Sequence, residues 1–162
     1  MNDELQHQAI NGNGEYVAAL DQVCAAAQRS LVIFENDFDN LGFNSVVRYD
    51  ILHHFLLANP QAQLRLLAHS TDYLSRYCPR LLMLLRQFGT RMSIYQTPRS
   101  LSHLSEPFAV ADELACVRRF HFNDGRGILA LNDSSNARLL KSRFEEMWNM
   151  SKPSVSTDTF GI

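Results

Sequence analysis

The run Ser105-Glu106-Pro107-Phe108-Ala109-Val110-Ala111-Asp112-Glu113-Leu114-Ala115-Cys116-Val117-Arg118-Arg119-Phe120 leaves the chain few ways to fold. Two short apolar segments flank the polar pair Asp112-Glu113, which predicts two strands joined there by a tight turn. Further on, Asp124-Gly125 is a strong hairpin signal, because glycine accepts positive φ. It predicts a return into a third strand at Ile128 to Leu131.

Upstream, helical and strand patterns alternate. Residues 1–13 are polar and end in Asn11-Gly12-Asn13-Gly14, which predicts a flexible lead-in. Val17, Leu20, Cys24 and Ala27 recur at helical spacing from Glu15 to about Gln28. Leu31 to Phe34 reads as a buried strand. A helix is predicted from about Asn44 to Ala58, with Val46, Val47, Ile51, Leu52, Phe55 and Leu56 on one side and Asn59-Pro60 ending it. Leu64 to His69 is a second strand, and Ser70 or Thr71 caps a helix carrying Asp72 in its first turn. Pro79 opens another helix, whose core face is Leu81, Leu82, Leu84, Leu85 and Phe88 before Gly89. Met92 to Thr97 is a third strand, and 98–105 a linker. Asn132-Asp133-Ser134 caps a last helix with Ala137, Leu140, Phe144 and Met147 facing the core. The expected organisation is one α/β domain over residues 14–151, a mixed sheet of about six strands flanked by helices, with residues 152–162 as a polar tail.

Composition narrows the class. The 162 residues suffice for one core, and 46% apolar with 20% charged residues is ordinary for a globular domain. Arg65, Arg76, Arg80 and Arg86 interrupt the most apolar region, so no membrane helix is expected. The start Met1-Asn2-Asp3-Glu4 is unlike a signal or transit peptide. Cys24, Cys78 and Cys116 are odd in number and lie in apolar settings, which suits reduced core thiols and a cytoplasmic location. Residues 1–50 hold eight acids against Arg29 and Arg48, and residues 51–100 hold six arginines against Asp72. That asymmetry predicts pairing between the acidic first third and the basic middle. A chain-wide basic footprint for nucleic acid is absent.

Three places carry candidate chemistry. Glu35, Asp37 and Asp39 follow the first strand, at the strand end where α/β sheets place ligands, and three carboxylates there offer oxygen ligands to Mg²⁺. The simpler reading is that Asx side chains make the turn. Asp124-Gly125-Arg126-Gly127 offers amides and a guanidinium to an anion, or merely a hairpin turn. Adjacent His53 and His54 point to different helix faces and make no metal pair.

The element order, together with Phe108-Ala109-Val110-Ala111-Asp112, the strand to Phe120 and the ending Phe144-Glu145-Glu146-Met147-Trp148-Asn149-Met150-Ser151, resembles one repeat of the phospholipase D-like superfamily. The likeness covers about residues 15–151. Active members carry a histidine, a lysine two residues later and an aspartate five beyond. With Asp112 on that aspartate, Ser105 falls on the histidine and Pro107 on the lysine. Shifting the register to His103 leaves Ser105 at the lysine. The resemblance is thus to a bacterial branch without the catalytic motif, of the kind found near or fused to acetyltransferase domains.

Two function classes follow. The first is a binding or regulatory module with no catalytic residue and no cofactor, whose old cleft holds a phosphate-bearing ligand through Arg118, Arg119, His121, Ser105 and Asp112. Strand alternation allows only one of the pairs Arg118/Phe120 and Arg119/His121 to face a cleft. Pairing of Arg118 and Arg119 with Asp112, Glu113 or Glu106 would leave neither free. By resemblance a homodimer is expected. The second class is an Mg²⁺-dependent phosphoester hydrolase using Glu35, Asp37 and Asp39. A partner surface for an acetyltransferase or another protein on the helix Leu81 to Phe88 requires that Leu82 and Leu85 be exposed.

Overall fold

The computed structural model describes residues 7–155. The elements run β1 (His7–Asn11), α1 (Asn13–Ala26), β2 (Ser30–Glu35), α2 (Val46–Ala58), β3 (Gln63–Ala68), α3 (Asp72–Tyr77), α4 (Pro79–Gln87), β4 (Met92–Gln96), β5 (Phe108–Ala111), β6 (Ala115–Arg119), β7 (Arg126–Ala130), α5 (Ser134–Met150) and β8 (Lys152–Val155). All the strands form one sheet in the order β1-β7-β6-β5-β2-β3-β4-β8. Strands β2, β3 and β4 are parallel, while β5, β6, β7 and β1 continue the sheet antiparallel from β2.

The sheet therefore has eight strands, not about six. Both extra strands lie in segments expected to be a lead-in and a tail. His7–Asn11 pairs with β7 and buries Ile10, and Lys152–Val155 pairs with β4 and buries Val155. Each is an edge strand, where a polar outer face and a proline such as Pro153 are tolerated because only one side must pair. Residues 1–6 and 156–162 of those two segments lie outside the described residues.

Strand alternation sends side chains into two cores. Leu31, Ile33, Leu66, Ala109 and Val117 face the layer formed by α1, α2, α3 and α4. Val32, Phe34, Leu67, Phe108, Val110 and Cys116 face α5 through Ala137, Leu140, Phe144 and Met147. Helix α4 buries Leu81, Leu84, Leu85 and Phe88 in the first core and packs Leu82 against it, so this apolar face is spent internally. Helix α2 is rotated from its expected face: Val46 and Val47 are exposed and Arg48 is fully buried. Arg48 Nε donates to Asp21 at 2.6 Å and Nη2 to the Val17 carbonyl at 3.3 Å, with the guanidinium 4.6 Å from the Phe43 ring centre. A helix face read only by hydropathy assigns arginine to solvent; here Asp21 on α1 supplies the counter-charge.

Two turns fix the hairpin unit. Asp112 and Glu113 both adopt positive φ, at 56° and 55°, as the central residues of a type I′ turn do; the Leu114 N–H donates to the Ala111 carbonyl at 3.0 Å, and the loop is three residues long because Ala111 pairs with Ala115. Gly127 leaves room for β6, because a Cβ there would lie 2.1 Å from the Arg118 carbonyl oxygen. The three cysteines are free and buried. Among the described residues, no helix is long and apolar enough to cross a membrane.

Candidate functional site

The antiparallel pairing of β5 with β2 sets which residues can meet. Phe108 pairs with Phe34 and Ala111 with Leu31, so Ser105 to Pro107 sit beyond the carboxyl end of β2 and Asp112 at its opposite end. The candidate ligand residues are thereby separated. Asp112 accepts the backbone N–H groups of Gln28 at 2.8 Å, Arg29 at 2.7 Å and Ser30 at 2.9 Å. It anchors the start of β2 and cannot share a cleft with Ser105. Glu113, at the same end, lies near Arg138 and Lys141 of α5.

The carboxyl end of β2 collects most of the remaining chemistry. Adjacent Arg118 and Arg119 point to opposite faces of the sheet, as alternation demands. Arg118 is on the α5 side, 3.6 Å from Glu106, with both side chains substantially exposed. A pair of that kind contributes under about 1 kcal/mol and leaves the arginine available. Two pockets adjoin there. One, of about 140 Å³, is lined by His7, Arg118, Asn136 and Arg143 among others. The other, of about 180 Å³, is lined by His103, Ser105, Glu106 and Arg143. Arg143 on α5 is exposed, lines both pockets, and forms no ion pair among the described residues. It came from a helix with no motif, so no sequence signal marked it.

Behind the second pocket, His69 follows β3 and is held at both ring nitrogens, by Thr97 Oγ1 at 2.5 Å and the Leu104 carbonyl at 2.7 Å. Its ring stands edge-on to Phe34 and Phe122. The Ser105 carbonyl accepts the Phe122 N–H at 2.8 Å, and Pro107 is buried with its carbonyl accepting the Arg119 N–H at 3.1 Å. Backbone bonds thus fix the segment that the resemblance aligns with the catalytic strand. His121 is exposed, and its Nδ1 accepts the Asn123 N–H at 2.9 Å. Asp124 binds Arg126 through paired contacts of 2.9–3.3 Å, and this guanidinium holds its carboxyl down at about 2, so the hairpin turn closes on itself.

On the other face, Glu35, Asp37 and Asp39 line one pocket but do not converge. Among the described residues, no three histidine, cysteine or carboxylate side chains are placed to hold a metal ion. Glu35 turns inward, is 1% exposed, and accepts the Tyr16 hydroxyl at 2.5 Å. Asp37 Oδ1 accepts the Asp39 N–H, the Asx turn that the simpler sequence reading described. Burial raises the Glu35 carboxyl to about 8, against the downward pull of the Tyr16 hydrogen bond and the Arg119 charge. Among the described residues, no arginine of the basic middle forms an ion pair with a carboxylate of the acidic first third. Arg65 binds Glu145 in a bidentate pair, Arg80 contacts Asn44, and Arg91 donates to carbonyls of Asn59 and Ala62.

Among the described residues, a mixed sheet carries four α-helices on one face and one long α-helix on the other. The structure is similar to that of Nuc from Salmonella typhimurium, a phospholipase D family member, at 12% identity and TM-score 0.66 over 94% of this chain and 100% of that one. NucT from Helicobacter pylori is similar at 12% identity and TM-score 0.58 over 93% of this chain and 100% of that one. TrmBL2, an archaeal chromatin protein with a novel mode of DNA binding, is similar at 13% identity and TM-score 0.68 over 92% of this chain. This chain spans 54% of that protein's length, about half. At such identities the likeness establishes the fold. The chain itself belongs to the family described as Domain of unknown function (DUF7931), whose model matches residues 13–160. No curated protein matches it.

Proposed function

We propose that the chain is a non-catalytic phospholipase D-like module that binds a phosphate-bearing ligand in the groove between β6 and α5. The observation that carries the reading is the placement of Arg118 and Arg143 along two adjoining pockets that end at Ser105. Two guanidinium forks on one groove suit the oxygens of a phosphate group, and the carboxylates on the same lining, Glu106 and Asp133, are paired with Arg118 and His7. Ser105 and Pro107 stand where the resemblance expects a nucleophilic histidine and a phosphate-binding lysine. A serine there needs a base, and both nitrogens of the nearby His69 are already engaged. Binding without turnover is the chemistry this supports. TrmBL2 is described as binding DNA, so a nucleic-acid phosphate belongs among the ligands to try. The reading places the module in the cytoplasm, with a second copy covering the groove side.

Calorimetric titration with inorganic phosphate, a phosphomonoester and a short DNA duplex tests this. Saturable binding of a phosphate-bearing compound, weakened at least about tenfold by Arg118→Ala and by Arg143→Ala, is expected. Heats that match buffer for every phosphate compound, or binding indifferent to both substitutions, would overturn the reading. A chromogenic phosphodiester should show no turnover above background.

A further inference from the structure

A third pocket opens at the same end of the sheet but on the face of the four-helix layer. Its volume is about 230 Å³, and Glu35, Asn36, Asp37, Asp39 and Arg119 are among its lining residues. Arg118 and Arg143 line the groove on the opposite face, so the two sites are distinct.

The informative residue is Arg119. Only 8% of it is exposed, and its Nε has no hydrogen-bond partner. Its contact with a carboxylate, Nη2 to Glu35 Oε1, measures 3.7 Å and is too long for a charge-assisted hydrogen bond. The guanidinium lies 4.4 Å from the Tyr16 ring centre, which fixes its plane. A buried guanidinium with an unpaired N–H is costly, and an oxyanion in the adjoining pocket, which Arg119 lines, would give the group an acceptor. Burial raises the Glu35 carboxyl to about 8, which weakens its hold on the Arg119 charge.

The other charged residues of the lining, Asp37 and Asp39 beside Glu35, have the opposite sign, and the remainder are neutral. Asp37 is half-buried and Asp39 exposed, and the Asx turn spends one Asp37 oxygen on the Asp39 N–H at 3.0 Å. A free dianion such as phosphate would be repelled by these two carboxylates. A solute carrying its own cation a short distance from its anion would not. The pocket is also smaller than the roughly 300–1,000 Å³ typical of drug-sized ligands.

We propose that this pocket binds a small zwitterion of the α-amino-acid type, with its carboxylate on Arg119 and its ammonium group towards Asp37 and Asp39. This does not rest on the phosphate reading, and either can fail alone. Thermal-shift and calorimetric titrations with a panel of free L-amino acids test it, using acetate and methylammonium as half-ligand controls. At least one amino acid should bind saturably, about tenfold or more tighter than either half. Arg119→Met should abolish that binding. Should that variant not fold, Asp39→Asn, at an exposed position, decides: amino-acid affinity should fall severalfold while any phosphate binding in the groove stays unchanged. No binding by any amino acid, equal binding of acetate, or affinity unaltered by Asp39→Asn would overturn the proposal.

Discussion

Replacing Glu35 by glutamine isolates the buried carboxyl without changing its shape. In the folded chain burial lifts its pKa from 4.5 to about 8, with Tyr16 of α1, Arg119 of β6, Asp37 of the following loop and Arg48 of α2 as its polar and charged neighbours. Between those values the folded state holds a proton that the unfolded state has released, so stability falls as pH rises. The contribution is fully present below about pH 4.5 and is lost as pH climbs through about 8. At ~1.36 kcal/mol per unit, the interval from pH 5 to pH 8 costs the wild-type protein roughly 4 kcal/mol. Glutamine has no proton to lose and still accepts from the Tyr16 hydroxyl. Urea unfolding of both proteins at pH 5, 6.5 and 8 reads the effect, because every other titrating group cancels in the difference. Near-equal stabilities at pH 5 and a variant more stable by several kcal/mol at pH 8 are expected. Parallel curves, with the difference changing by less than about 1 kcal/mol, would refute the neutral buried carboxyl.

Other substitutions test the roles assigned to single residues. Asp112→Ala removes the acceptor of three backbone N–H groups and places alanine at a φ of 56°, so chemical unfolding should show a loss of roughly 2–4 kcal/mol. Asp112→Asn should recover part of it and leave groove binding unchanged; a selective loss of binding would return Asp112 to the site. Gly127→Ala forces a Cβ towards the Arg118 carbonyl and should cost about 1–3 kcal/mol, whereas unchanged stability would mean that β6 and β7 separate freely. Asp21→Ala strands the fully buried Arg48 and should cost about 3 kcal/mol, more than Arg48→Met, which removes charge and partner problem together. The reverse order would show that packing of the Arg48 stem, and not its charge, is what α2 needs.

The central strands were readable because β2, β3 and the β5–β6 pair are apolar runs bounded by turn residues, as strands buried on both faces must be. The edge strands were not. Only Ile10 in β1 and Val155 in β8 are buried, and their pairing with β7 and β4 is a long-range match that no local pattern carries. Alternation correctly separated Arg118 from Arg119, since a period of two is all that prediction requires. The expectation that only one of them faces a cleft does not hold, because Arg118 lines a pocket on the α5 face and Arg119 one on the opposite face. What each one meets depended on which helix covers that face. Tyr16 and Glu35 reach Arg119 from α1 and β2, and Arg143 reaches the groove from α5. Asp112 was grouped with Ser105 because the resemblance aligns both with one motif, but an extended strand of four residues carries them to opposite ends of the sheet. His69 escaped notice because its partners Thr97, just past β4, and Leu104, in the loop before β5, are distant in sequence.

Phosphorus NMR of a phosphodiester incubated with the protein tests binding without turnover in one experiment. The account predicts that the diester resonance broadens or shifts in proportion to added protein, that Arg118→Ala and Arg143→Ala abolish the change, and that no monoester resonance appears. A monoester signal growing at a rate proportional to protein would contradict it, as would a diester, a monoester and inorganic phosphate whose resonances the protein all leaves untouched.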